Sequence, residues 1–76
     1  MTPTECYLER FDASRNMARY YRISISLTLF GEWVMCREWG RVGRNGQRLE
    51  HVCTTRDEAQ KLLEARKVER MKRGYR

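Results

Sequence analysis

Arg37-Glu38-Trp39-Gly40-Arg41-Val42-Gly43 is the stretch on which the reading of this 76-residue chain turns. It lies where an extended run should end and a turn begin. Each residue type has a use at a polyanion. The tryptophan offers a flat face for stacking on a base or sugar. The glycine has no Cβ, so another backbone can come close. The arginine carries planar donors that match phosphate.

Upstream of it, Trp33 to Trp39 reads as a strand with bulk on both faces, Val34, Cys36 and Glu38 on one and Trp33, Met35, Arg37 and Trp39 on the other. The pattern leaves its inner face unassigned. Gly31 permits the turn before it. Arg19 to Leu27 is the cleanest strand, because Tyr21, Ile23, Ile25 and Leu27 alternate with Tyr20, Arg22, Ser24 and Ser26. Cys6 to Phe11 is a short strand of open pairing, Asp12 to Asn16 a loop, and Met1 to Glu5 a loose end.

Downstream, Gly43-Arg44-Asn45-Gly46 reads as a hairpin turn, with Asn-Gly supplying positive φ. Gln47 to Cys53 is the last strand. Thr55-Arg56-Asp57-Glu58 is a capping box that opens a helix running to about Arg73 and stopping at Gly74. Ala59, Leu62 and Leu63 form its apolar stripe, continued by Ala65, Val68 and Met71. The expected fold is α+β: a mostly antiparallel sheet of about four strands, with one long C-terminal helix on one face, in a single domain over residues 1–76.

These residues and their order resemble the WGR domain. The likeness spans about Cys6 to Tyr75 and includes Tyr20-Tyr21, Leu29-Phe30-Gly31, Gly46, Asp57-Glu58-Ala59 and Gly74-Tyr75. That domain is the nucleic-acid-sensing module of DNA-damage-responsive poly(ADP-ribose) polymerases, and it also occurs in bacterial proteins. The resemblance implies that Trp39 packs on a nucleotide sugar at a strand end and that Arg41 reaches phosphate. One position departs from the polymerase pattern. An asparagine two residues before the paired tyrosines is replaced here by Ala18, and the nearest asparagine is Asn16.

Charge supports a polyanion partner. Sixteen Lys plus Arg against ten Asp plus Glu give a net of +6. Residues 1–36 are neutral and 54–65 carry one net negative charge. The excess lies in the central turn (Arg37, Arg41, Arg44 and Arg48 against Glu38 and Glu50) and at the helix end (Arg66, Lys67, Arg70, Lys72, Arg73 and Arg76 against Glu69). Arg66, Arg70 and Arg73 share a helix face.

The expected interface is therefore Arg37, Trp39, Gly40, Arg41 and Arg48, with Arg66, Arg70 and Arg73. Arg37 either completes a phosphate clamp with Arg41 or pairs with Glu50 across the sheet. The expected function is non-catalytic binding of nucleic acid, DNA ahead of RNA, with strand ends or nicks as the narrower reading. The alternative is an adaptor that docks the Trp-Gly-Arg surface on an acidic protein.

Other classes find little support. A chain of this length buries only ~60% of its unfolded surface and has little room for a deep catalytic pocket. His51 is the only histidine, and no close cysteine pair is present to build zinc, so no metal or cofactor is expected. The odd cysteine count, with no leader-like opening, points to a reducing cytoplasm. No apolar run approaches the ~20 residues of a membrane span.

Overall fold

The computed structural model describes residues 4–76. Four strands, β1 (Glu5–Asp12), β2 (Met17–Leu27), β3 (Trp33–Arg41) and β4 (Gln47–Cys53), form an antiparallel meander in chain order, followed by helix α1 (Arg56–Lys72). Each strand pairs with its sequence neighbours, the simplest solution for short connections. β1 pairs with β2 along its whole length, from Glu5 opposite Ser24 to Asp12 opposite Met17. The first strand thus begins before Cys6, and Thr4 already accepts a hydrogen bond from the Ile25 amide at 2.9 Å. The rest of the expected loose end, Met1 to Pro3, lies outside the described residues.

The unassigned face of β3 is settled by register. Tyr21 opposes Trp39, Ile23 opposes Arg37, Ile25 opposes Met35 and Leu27 opposes Trp33. Opposed residues share a face, so Trp33, Met35, Arg37 and Trp39 point to the helix side. The core lies there: Leu8, Tyr21, Ile23, Ile25, Met35 and Cys53 pack against Ala59 and Leu63, with Trp33, Trp39 and Leu62 at its margin. The other face carries no helix and is mostly exposed, with Tyr20 and Val34 its buried residues.

The helix begins as its sequence demands. Thr55 Oγ1 accepts from the Glu58 amide at 3.1 Å, and the Glu58 carboxylate accepts from the Thr54 amide at 3.1 Å, one residue further back than the reciprocal box. Its apolar stripe is shorter than expected. Only Ala59 and Leu63 are buried, while Ala65, Val68 and Met71 are exposed. The inward positions of the last two turns are held instead by half-buried Arg66, Lys67 and Arg70. Helical geometry sets this choice, since 59, 63, 66, 67 and 70 stay on one face and 65, 68 and 71 rotate off it.

The helix ends in a Schellman motif. The Tyr75 amide bonds the Arg70 carbonyl and the Gly74 amide bonds the Met71 carbonyl, both at 3.1 Å, with Gly74 at φ 95°. This turn drives Tyr75 into the core, edge-on to Tyr21 at 6.3 Å. Arg76 then exchanges both backbone hydrogen bonds with Glu9 at 2.8 Å, which covers part of the outer edge of β1.

Candidate nucleic-acid interface

The β2–β3 ladder ends in an unusual row. Arg10 of β1 opposes Arg19 of β2, and Arg19 opposes Arg41 of β3. Three arginines therefore occupy neighbouring positions on one face of the sheet, the Arg10 side chain lying against Gly74 in a separate pocket with Glu9, Asp12 and Arg76. Like charges directly opposed across strands destabilise a sheet. Among the described residues, none of Arg10, Arg19 and Arg41 lies within ion-pair distance of a carboxylate.

Beside this row opens a cleft of about 570 Å³, lined by Arg15, Asn16, Met17, Ala18, Arg19, Trp39, Gly40, Arg41, Arg70 and Tyr75. Four arginines and no carboxylate line it. Trp39 is half-buried there, anchored at the core margin with part of its indole free. Arg37 stacks on that indole, with its guanidinium carbon 5.5 Å from the ring centroid. Arg70 reaches in from the helix over Tyr21 at 4.3 Å and Tyr75 at 5.7 Å. Cation–π contact holds these guanidinium groups without neutralising them. Among the described residues, Arg37 Nε, Arg70 Nε and Tyr21 Oη are buried without a hydrogen-bond partner.

The rim is built by the 310 turn Ala13–Arg15 between β1 and β2. Asp12 caps it, accepting from the Ser14 amide at 3.1 Å and hydroxyl at 2.6 Å. Asn16 follows in the left-handed region at φ 51°, and its carbonyl accepts from Arg41 Nη1 at 3.1 Å. So Asn16 lies in the same cleft as Arg41, which sequence spacing alone left open.

Gly40 has a packing reason on the opposite face. A Cβ there would lie 2.8 Å from Gly46 Cα, and a Cβ on Gly46 would collide with the Trp39 carbonyl. The Tyr20 ring covers this contact, 3.6 Å from the Gly40 Cβ position, and its hydroxyl donates to Glu38 at 3.3 Å. The two glycines let the loop backbone fold flat against the strand end that carries Trp39. The positive φ of the hairpin falls at Gly43 (84°), in a turn closed from the Arg44 amide to the Arg41 carbonyl at 3.1 Å, and not at Asn45-Gly46.

The eight residues expected from sequence divide three ways. Trp39, Gly40, Arg41 and Arg70 line the cleft, with Arg37 stacked beside it. Arg66 pairs with Glu69 at 3.2 Å, and Arg73 is exposed at the helix end. Arg48 opposes Glu38 on the other face and is bound to Glu50 at 3.0 Å. The expected alternative of an Arg37–Glu50 pair fails, because Arg37 opposes Leu49 and Glu50 points to the open face. Arg19, Arg15 and Tyr75 were not singled out from sequence.

The cysteines do not converge. Cys6 and Cys53 sit at opposite edges of the helix side and Cys36 on the open face, and no cluster of metal ligands occurs among the described residues. Burial raises all three thiol pKa values above the ordinary one.

A family model for the WGR domain matches residues 4–76. The chain belongs to the WGR domain family. In poly(ADP-ribose) polymerases this domain is a non-catalytic nucleic-acid-binding module. The chain is also similar to an uncharacterized protein, y4dW, of Sinorhizobium fredii, with 45% identity over 74 residues. That match covers 97% of this chain and 36% of the relative, so this WGR domain spans about a third of the relative's length. No solved structure gives a significant match.

Proposed function

We propose that this WGR domain binds DNA by its backbone, at strand ends or nicks, through the cleft beside the Arg10–Arg19–Arg41 row. The observation that carries this reading is the row itself. Three opposed arginines without a carboxylate are a cost to the fold. Phosphate would relieve it. Trp39 stacks on the terminal sugar or base, Arg41 and Arg19 hold phosphate, and Arg70 and Arg37 lend donors from above and beside. The mechanism is positioning and electrostatics, with no bond made or broken. Base preference is weak, because contacts to the backbone carry no sequence information. With three free thiols, a reducing cytoplasm is the compartment proposed with it. Among the described residues, no helix is long and apolar enough to cross a membrane.

The test is a titration of a labelled nicked duplex with a 5′ phosphate against intact duplex of equal length, at two salt concentrations, repeated with Trp39→Ala. Tighter binding to the nick, lost in the variant, supports end recognition. Equal, strongly salt-dependent binding that ignores Trp39 reduces the protein to a basic surface. No binding to either duplex at low salt overturns the proposal and favours an acidic protein as the partner of the same cleft.

A further inference from the structure

The two edges of the sheet are treated differently. The β1 edge is covered at Glu9 by both backbone hydrogen bonds to Arg76. Among the described residues, no strand pairs with the outer edge of β4. The helix lies chiefly over β2 and β3 and meets β4 no more than it meets β1, with Cys53 the one buried residue of that strand. Residues Gln47 to Glu50 are all exposed, with Leu49 at 42% and Val52 at 66%. β4 contains no proline, one of the usual means of blunting an edge, and its charges, Arg48 and Glu50, are of opposite sign.

We propose that β4 pairs antiparallel with β4 of a second copy, about a two-fold axis at Leu49, to give a continuous eight-stranded sheet. Among axes at Arg48, Leu49 and Glu50, symmetry and charge favour this register. Facing residues must share a sheet face, so the axis passes through a residue and a one-residue slip is excluded. An axis at Arg48 sets arginine against arginine, and one at Glu50 sets glutamate against glutamate. An axis at Leu49 sets Arg48 against the partner's Glu50 and Glu50 against the partner's Arg48 on the open face. It sets Leu49 against the partner's Leu49 on the helix face. Arg48 and Glu50 already bind each other within one chain at 3.0 Å, so both are held where the reciprocal pairs form. An isologous contact of this kind closes after two copies.

The inference is independent of nucleic acid. If the cleft also binds as proposed, the dimer carries both clefts on one face. The two Trp39 Cα atoms then lie about 20 Å apart, from ~4.8 Å per strand and ~3.4 Å per residue.

Sedimentation equilibrium of the free protein tests it. The pairing is short, so loading concentrations run up to about 1 mM. The average mass should rise with concentration towards twice the 9.2 kDa of one chain. Arg48→Glu alone and Glu50→Arg alone should each stay at one chain, because every cross-strand pair becomes like-charged. An equimolar mixture of these two variants should form a heterodimer, since all four charges are then complementary. Circular dichroism establishes that each variant is folded before mixing. A wild-type protein of constant monomer mass overturns the proposal, as does a mixture no heavier than its components. Dimerisation by either single variant to the wild-type extent moves the contact elsewhere.

Discussion

The β3–β4 hairpin has a cleft on each side, and the two differ in where their arginines find negative charge. The open-face cleft, about 460 Å³, is lined by Arg22, Arg44 and Arg48 together with Glu38, Tyr7 and Tyr20. There Arg22 binds Glu5 at 3.5 Å and lies over Tyr7 at 5.2 Å, and Arg48 binds Glu50. The helix-side cleft has four arginines and no acid. On the open face, Arg22 and Arg48 have carboxylate partners, while on the helix side only Arg15 has one, Asp12 at 3.7 Å, and Arg19, Arg41 and Arg70 have none among the described residues. A count of lysines and arginines would rank the two alike. Only the placement of carboxylates separates them.

The contrast can be broken first at the contact both sides share. Gly46→Ala should cost at least about 3 kcal/mol, since its methyl would strike the Trp39 carbonyl and backbone cannot step aside as a side chain can. Gly43→Ala has open space and only a φ of 84° to answer for, so it should cost about 1 kcal/mol. Thermal melting should place Gly46→Ala more than roughly 8 °C below Gly43→Ala, at ~4–8 °C per kcal/mol for a domain of this size. Equal melting temperatures would mean that the glycine pair does not set the position of Trp39.

On the helix side, the arginine row predicts opposite signs for stability and binding. Arg19→Gln removes a like-charge neighbour from both Arg10 and Arg41. It should leave the melting temperature unchanged or raise stability by a few tenths of a kcal/mol. In the same variant, duplex affinity at low salt should fall about tenfold and the salt slope should drop by about one. Loss of stability with affinity intact would make the row structural and remove the main support for the cleft.

On the open side, Arg22→Gln and Arg48→Gln should each change duplex affinity by less than about twofold. Their partners are exposed carboxylates, and such pairs contribute ~1 kcal/mol or less to the fold. A tenfold loss on Arg48→Gln would show that the hairpin tip follows phosphate after all, as its position in sequence suggested.

Arg48 shows where the sequence stopped being legible. Periodicity gave the strands, the Thr55 cap gave the helix start, and Trp39 with Arg41 was visible from residue types alone. The face of each arginine was not visible, because β3 carries bulk on both sides and its register with β2 depends on which of Trp39 and Glu38 meets Tyr21. Once that register is known, Arg19 and Arg41 fall opposite each other. Arg70 was expected at the interface for a different reason than its place in the fold. Its spacing suggested a surface stripe with Arg66 and Arg73, yet the Schellman turn brings Tyr75 beneath it and makes it a wall of the cleft. Local turn chemistry of that kind is written in Gly74-Tyr75, but its consequence depends on a core partner, Tyr21, more than fifty residues earlier.

The smallest effect should appear at alkaline pH. Burial, and then the Glu38 carboxylate, raise the Tyr20 phenol above its ordinary value near 10. Burial raises Tyr7 in the same sense, with Glu9 adding to it, and raises Cys36. All three lie on the open face. A folded-state pKa above the unfolded one means that the folded chain binds more protons in the interval between them, so stability falls as pH rises. The contribution is complete below about pH 8.5, begins to fade as the thiol ionises, and is lost as pH passes through the raised phenol values above 10. Urea unfolding at pH 7 and at about pH 10 should show this decline, and Tyr20→Phe should make the difference smaller. Guanidinium groups stay charged over the whole range, so duplex affinity per folded molecule should hold to about pH 9 while stability begins to fall. A steeper alkaline loss in Tyr20→Phe than in the parent would show that the Tyr20–Glu38 contact is not the source.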